Sequence, residues 1–478
     1  MRVAGPGARL PARWGAGLLA ALVLAGASRL AMAAPAPAEP PAPRPDQASG
    51  VARPDDPPAT DRLLWIPRAL LFLPRLAVWG AGQPIRGSAY AYERYSLSAR
   101  VREALFNVDG TFGVYPVAAY ESGSGVTAGA RLVHKDLLGG GERLKLRASF
   151  GGRYRQAYGV NVRSGERLGG RVAVELDASY ERRPTERFFG IGNGDALDAM
   201  PETPIDPAAD ERALPSRFRE DVVRNVATLD ARIAGALRAR TSGALMLRSF
   251  GGTGGDDSLE RGYRTDRLAG WEAGVRNLYV EQELVYDSRR PTSIYQSRAL
   301  DATGWLASVH VGRAAGIDGD RSDFFTYGGE LQRYFDLHDG SRVLALRALA
   351  EAIGGSDGRT DGKIAFIDLP RLGGSDHLRG YPGGRFRDRA IALGTAEVTW
   401  DLGNYAAAYT FVDVGRAWRS LADLGAAGLR VGFGGGVQLH TTASFLARVQ
   451  VAGSRDGDVA VELVLSPAFG RRERAGRF

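Results

Sequence analysis

The chain has 478 residues, long for one soluble domain and ordinary for a large barrel. With no cysteine it has no disulfide, thiolate metal site or cysteine lipid anchor. The formal charge of +8 falls to +4 once Arg2, Arg9, Arg13 and Arg29 of the N-terminal stretch are set aside. The remaining arginines are interspersed with Asp and Glu and form no basic helix, so nucleic acid is not an expected partner. The five histidines (His134, His310, His338, His377, His440) lack metal-ligand spacing. No metal site and no cofactor is expected.

In chain order, residues 1–33 read as a secretory signal peptide. Arg2, Arg9 and Arg13 supply the positive start, and Gly15 to Ala27 is an apolar core too short to span a bilayer. Ala31 and Ala33 put small residues at the −3 and −1 positions, which predicts cleavage before Ala34. Residues 34–60, rich in Pro and Ala, cannot build a core and read as a linker. Residues 61–111 read as a periplasmic or interfacial segment ahead of a barrel. Its apolar stretch from Leu63 to Trp79 carries Arg68 and Arg75, and Pro67 and Pro74 would break a spanning helix.

From about Phe112 the hydrophobic period is two. Val172, Val174, Leu176, Ala178 and Tyr180 alternate with Ala173, Glu175, Asp177 and Ser179. Leu229, Ala231, Ile233, Gly235 and Leu237 form a second such run, and Leu429 to Leu439 a third. Phe445, Ala447, Val449 and Val451 alternate with Leu446, Arg448 and Gln450, and Val459 to Leu465 closes the series. Runs of about ten to fourteen residues exceed the strands of soluble sheets, and charge on the opposite parity suits a wet lumen. Because lipid offers no hydrogen-bond partners, long strands crossing it must close on themselves. The expected fold is all-β: a transmembrane antiparallel barrel of about sixteen strands over residues 112–470, followed by a basic tail at 471–478. Leu137 to Gly141 reads as a tight periplasmic turn; Pro184 to Phe218, Gly251 to Gly274 and Ile367 to Asp388 read as long outer loops.

Four motifs stand out within this pattern. Leu369 to Tyr381 ends in Leu378-Arg379-Gly380-Tyr381; Ala396-Glu397-Val398-Thr399-Trp400 and Phe411 to Trp418, with Asp413-Val414-Gly415, follow; Phe188-Phe189-Gly190-Ile191-Gly192-Asn193 lies upstream. In this order they resemble the BamA/TamA surface-antigen family of outer-membrane barrels. There an arginine-glycine-aromatic triplet tips an inward-folded loop, and the next strand carries an inward glutamate. The resemblance runs from about Phe112 to Phe469 and places Phe189, Gly190, Gly192 and Asn193 in a family loop motif. On strand parity Glu397 and Asp413 face the lumen, whereas Val398, Val412 and Val414 face lipid. A loop arginine inside a barrel requires carboxylate partners, so Arg379 is expected to bind both, with Gly380 allowing close backbone approach and Tyr381 packing on the wall.

The resemblance implies a Gram-negative outer-membrane location among lipids and lipopolysaccharide. It also implies a role in inserting or translocating proteins or lipids, with unfolded outer-membrane proteins as partners. The stretch from Ala34 to Phe112 leaves too little room for the periplasmic POTRA domain of the assembly members, so a separate periplasmic partner is a further expectation. The first and last strands are expected to pair weakly; Gly432, Gly434, Gly435 and Gly436 either soften the wall near that seam or make room for the folded-in loop. The alternative is a passive pore or structural barrel that kept the loop. An enzyme is not expected. Gly354-Gly355-Ser356-Asp357-Gly358 lacks the following helix of a nucleophile elbow and reads as a turn. Asp256-Asp257 and Asp318 to Asp323 read as solvated loop carboxylates.

Overall fold

The computed structural model describes residues 104–464, apart from 122–124, 153–154, 198, 209–211, 291–299, 318–322, 356–363, 403–405 and 441–444. The signal peptide with Ala31 and Ala33, the linker, nearly all of the pre-barrel segment, the Ser356 turn and the basic tail therefore lie outside the described residues.

Among the described residues eighteen strands follow one another. They are β1 (Phe112–Glu121), β2 (Gly125–His134), β3 (Arg143–Gly151), β4 (Arg155–Arg163), β5 (Val172–Phe188), β6 (Ser216–Ala234) and β7 (Leu237–Gly252). Next come β8 (Val275–Asp287), β9 (Gly304–Gly316), β10 (Phe324–Asp336) and β11 (Arg342–Gly355), then the short pair β12 (Arg371–Leu372) and β13 (Phe386–Arg387). The last are β14 (Ala390–Asp401), β15 (Ala406–Trp418), β16 (Arg430–His440), β17 (Phe445–Ser454) and β18 (Val459–Val464). Sixteen of them form one antiparallel sheet in sequence order, and β12 and β13 pair separately inside the β11–β14 connection. The protein is an all-β transmembrane barrel.

Burial along the strands is inverted relative to a soluble sheet. On β8 the inner face buries Asn277, Tyr279, Glu281 and Glu283, while Leu278, Val280, Leu284 and Tyr286 are exposed. The same holds on β9 and β10, where Val309, Val311, Tyr327 and Leu331 point outward and Thr326, Glu330 and Gln332 are buried. Exposed apolar rows over buried polar ones are stable only if lipid is the outer solvent. Aromatic residues mark the limits of that face. Trp305 and Phe335 lie at one end and Phe325 at the other, with the Arg333 guanidinium 4.8 Å and 4.9 Å from the first two rings and Arg313 5.5 Å from Phe325. Phe325 to Phe335 at about 3.4 Å per residue, tilted by roughly 40°, spans about 26 Å, the height of an outer-membrane apolar band.

Several boundaries differ from those the sequence suggested. The run from Leu229 to Leu237 is two strands, because the chain reverses at Gly235, whose φ of +52° suits a two-residue hairpin. The loop expected from Pro184 is shorter. β5 continues through Pro184 to Phe188, and a register shift between Arg183 and Glu186 takes up the residue that cannot donate to the ladder. β5, β6 and β7 run 17, 19 and 16 residues, beyond the length expected. The three long loops do share one end of the sheet, but the β8–β9 connection at the opposite end, residues 288–303, is also long, so short turns do not prevail there throughout.

At the long-loop end, an apolar core of soluble type fills the mouth. Phe188, Phe218, Leu259, Tyr263, Trp271 and Phe366 are its main members. Phe366 lies 5.5 Å, 5.4 Å and 5.0 Å from the rings of Phe188, Phe218 and Phe250, spacings at which edge-to-face aromatic contacts are favourable.

Candidate functional site

The β11–β14 connection turns back into the barrel, with its tip against the inner faces of β14 to β17. Arg379 is 2% exposed at that tip. Its Nε and Nη2 donate to the two oxygens of Asp413 at 2.8 Å and 2.9 Å, and Nη1 donates to Glu397 at 2.6 Å. Its backbone N–H also donates to Asp413, at 2.9 Å. The guanidinium covers the ring of Phe411, 3.5 Å from its centroid. The strands explain this convergence: Thr395 pairs with Asp413 and Glu397 with Phe411 across β14 and β15, so both carboxylates and the ring lie on one inner face. Burial opposes the charge on Arg379, yet the Asp413 hydrogen bonds and the charges of both carboxylates hold its pKa above the ordinary arginine value.

The backbone of the tip is unusual on both sides of the arginine. Leu378 has φ +57°, and Gly380 has φ +95°. A left-handed leucine costs about 1–2 kcal/mol; Leu378 is fully buried in a cluster with Leu372, Tyr381, Phe386 and Ile391, which offsets it. At Gly380 a Cβ would strike the backbone of Gly453 in β17. Tyr381 is buried, its ring 5.0 Å from Phe386, and its hydroxyl donates to the Val431 carbonyl at 3.4 Å.

Gly432 of β16 makes room for this arrangement. A Cβ on Gly432 would collide with the carbonyl oxygen of Arg379, one on Gly434 would come within 2.9 Å of the Phe411 ring, and one on Gly436 within 2.8 Å of the Tyr409 hydroxyl. Of the two readings open in the sequence, Gly432 favours space for the loop, whereas a Cβ on Gly434 or Gly436 would first meet the backbone oxygen of Val451 or Val449 in β17. Gly435 faces the other way.

Further residues, not singled out in the sequence, hold the tip. Arg448 donates to Asp376 at 2.6 Å and to the Ser375 carbonyl at 2.8 Å. Arg347 donates to Glu330 at 2.6 Å and to the Asp376 carbonyl at 3.0 Å, and its Nη2 lies 3.2 Å from His377 Nε2. Strand parity could have found Arg347 and Arg448, since both occupy inner-face positions between lipid-facing residues. Nothing in the sequence shows that their partner is a loop backbone.

His377 is held well below the usual histidine range, at about 4, first by burial and then by Arg347, with Asp376 opposing. A folded-state pKa below the unfolded value means that the folded chain binds fewer protons. Its contribution to stability is therefore complete above about pH 6.5 and is lost as pH falls toward 4. Melting curves at pH 7 and pH 4.5 should show a larger loss of stability for wild type than for His377→Gln; equal losses would exclude a role for this group.

The Phe189-Gly190-Ile191-Gly192-Asn193 segment docks on the inward loop. Gly192 N–H donates to the Arg387 carbonyl at 2.7 Å. The Asn193 amide donates to and accepts from the backbone of Ala417 in β15, at 2.6 Å and 3.1 Å, as a strand residue would. Phe189 is buried, and Gly190 and Gly192 have φ +89° and +106°. Thus Arg379, Gly380, Tyr381, Glu397 and Asp413 meet at the tip, while the glycine-rich segment braces the loop nearer the mouth.

Residues 294–454 match the Omp85 superfamily domain. The match covers a third of the chain. It spans the β9–β17 wall and the inward loop, and includes Arg379, Glu397 and Asp413. The structure is similar to BamA from Haemophilus ducreyi lacking POTRA domains 1–3, with a TM-score of 0.53 and 13% identity over 74% of this chain and 69% of that one. CdiB from Escherichia coli (TM-score 0.45, 11% identity) and CdiB from Acinetobacter baumannii (0.42, 10%) match 74% and 73% of this chain. They do so over 60% and 58% of their own lengths. No curated protein sequence matches the chain. A transmembrane barrel with this match belongs in the Gram-negative outer membrane.

Proposed function

We propose that the barrel assists insertion or translocation of proteins or lipids at the outer membrane, with its inward loop latched by Arg379 to Glu397 and Asp413. The observation that carries this reading is Pro116, in the middle of β1 opposite Ala130. β1 is the first strand of the sheet; Lys135 N–H donates to Thr111, so its odd positions bond to β2 and the donor that Pro116 lacks would face the opposite edge. A strand that closes the barrel with a missing hydrogen bond makes a weak lateral seam, through which a client strand or lipid can reach the bilayer. Clients on this reading are unfolded outer-membrane proteins or envelope lipids, including lipopolysaccharide, and a separate periplasmic protein delivers them. The chain divides accordingly into a signal peptide removed on export (1–33), a linker (34–60), a periplasmic pre-barrel segment (61–111), the barrel (112–470) and a tail (471–478).

The test is the folding rate of an unfolded outer-membrane client in liposomes containing the protein, beside Arg379→Ala and a Pro116→Val variant. Wild type is expected to accelerate folding, and Pro116→Val, with its ladder restored, to accelerate it less. If folded wild-type protein gives no acceleration, the reading fails in favour of a passive pore or structural barrel.

A further inference from the structure

The inner face of the barrel is unequal around its circumference. On β8 to β10 the inward side chains are buried against the loops, whereas on β2 to β4 they meet solvent. Register places Thr127, Gly129, Arg131 and Val133 of β2 on the same face as Arg143, Lys145, Arg147 and Ser149 of β3, and as Arg155, Ala157, Gly159, Asn161 and Arg163 of β4. That face is inward. It continues through Ser179 and Glu181 on β5 to the buried Glu220 on β6, while Leu176 on the other parity is 52% exposed.

The three strands thus present six cationic side chains and, among the described residues, no carboxylate on this face. Arg131, Arg143 and Lys145 are exposed; Arg147, Arg155 and Arg163 are half-buried. Two of the cross-strand pairs oppose like charges directly: Arg131 faces Arg147, and Arg143 faces Arg163. Like charges directly opposite destabilise a sheet unless something neutralises them. The bordering strand β5 offers Glu175, Asp177 and Glu181, which serve the half-buried cations and the groups beside them, Glu175 standing opposite Arg163 in the register. Glu181 takes Arg147 at 2.5 Å and Arg183 at 2.6 Å. Asn161 donates to Glu175 at 2.7 Å and to Asp177 at 3.1 Å, and Arg224 lies 3.7 Å from Asp177. The exposed cations are left to be neutralised from solution.

We infer that the inner face of β2–β4 is a pathway for small anions, running beside the half of the barrel that the loops fill. A row of fixed cations on a wetted wall raises the local anion concentration and repels cations, which is how charged pore linings select. The inference does not depend on whether the barrel assembles clients.

The test is the reversal potential of the purified, folded full chain in planar bilayers under a KCl gradient. Wild type should give a potential with the sign set by chloride, and Arg131→Gln/Arg143→Gln/Lys145→Gln should shift it toward or past zero. If the triple variant does not fold, Lys145→Gln alone, an exposed position opposite Asn161, should still move the potential in that direction. No current from folded wild type, a potential of potassium sign, or an unshifted potential in the folded variants would each overturn the inference. Client folding by the same variants should stay at the wild-type rate, so that this inference and the assembly reading fail separately.

Discussion

Arg379→Ala is expected to destabilise the barrel by about 3–5 kcal/mol, the range found when one partner of a buried charge pair is removed. The change takes away the donors at 2.6 Å, 2.8 Å and 2.9 Å and leaves Glu397 and Asp413, 5% and 1% exposed, facing each other without a counter-charge. It also uncovers the Phe411 ring. Two responses are open to the protein: a proton taken up by one carboxylate, or withdrawal of the loop so that water reaches both. Either one loosens residues 375–381, and limited proteolysis of that segment should accelerate. Arg379→Lys retains charge but has no planar fork to serve two carboxylates, so it should recover only part of the loss. Heat-induced unfolding followed by gel mobility reports the effect; an Arg379→Ala barrel with unchanged heat and protease resistance would show that the latch does not hold the loop.

Gly432→Ala ranks second and acts from the opposite wall. A methyl group there occupies the position of the Arg379 carbonyl oxygen, so the tip must lift off β16 or the strand must bow. Overpacking of this kind costs about 1–3 kcal/mol. Since the Arg379 N–H bond to Asp413 moves with the carbonyl, the variant should share the protease sensitivity of Arg379→Ala. Gly394→Ala on the lipid face of β14, where a Cβ would lie 3.9 Å from its nearest neighbour, is the control and should be nearly silent. Equal behaviour of the two variants would contradict the view that Gly432 serves the loop.

The strand parity of this chain made much of the architecture legible, because lipid outside and polar side chains inside impose a strict period of two. The start of β1 at Phe112 and the sheet of sixteen strands follow from it. So do the inward directions of Glu397 and Asp413. The division at Gly235 was hidden because a two-residue hairpin preserves alternation through the turn. The extension of β5 past Pro184 was hidden because proline normally ends a strand and a register shift is not written in composition. Around the tip, the Arg379 partners could be named from parity once a charged loop was placed in the lumen. The left-handed Leu378, the contact of Gly432 with a loop carbonyl and the bonds from Arg347 and Arg448 to loop backbone depend on three-dimensional closeness between segments far apart in sequence. No local pattern encodes them.

The loop tip is fastened at two places on the circumference: through Arg347 to β11 and Glu330 on β10, and through Asp413, Glu397 and Arg448 to β14, β15 and β17. Mechanically it is a strut across that arc, and an arc braced by a chord cannot change curvature without breaking the brace. The first strands, β1 to β4, carry no such chord among the described residues. Deformation of the wall should therefore concentrate in β1 to β4, and a barrel that widens would do so by swinging these strands outward while the braced arc keeps its shape.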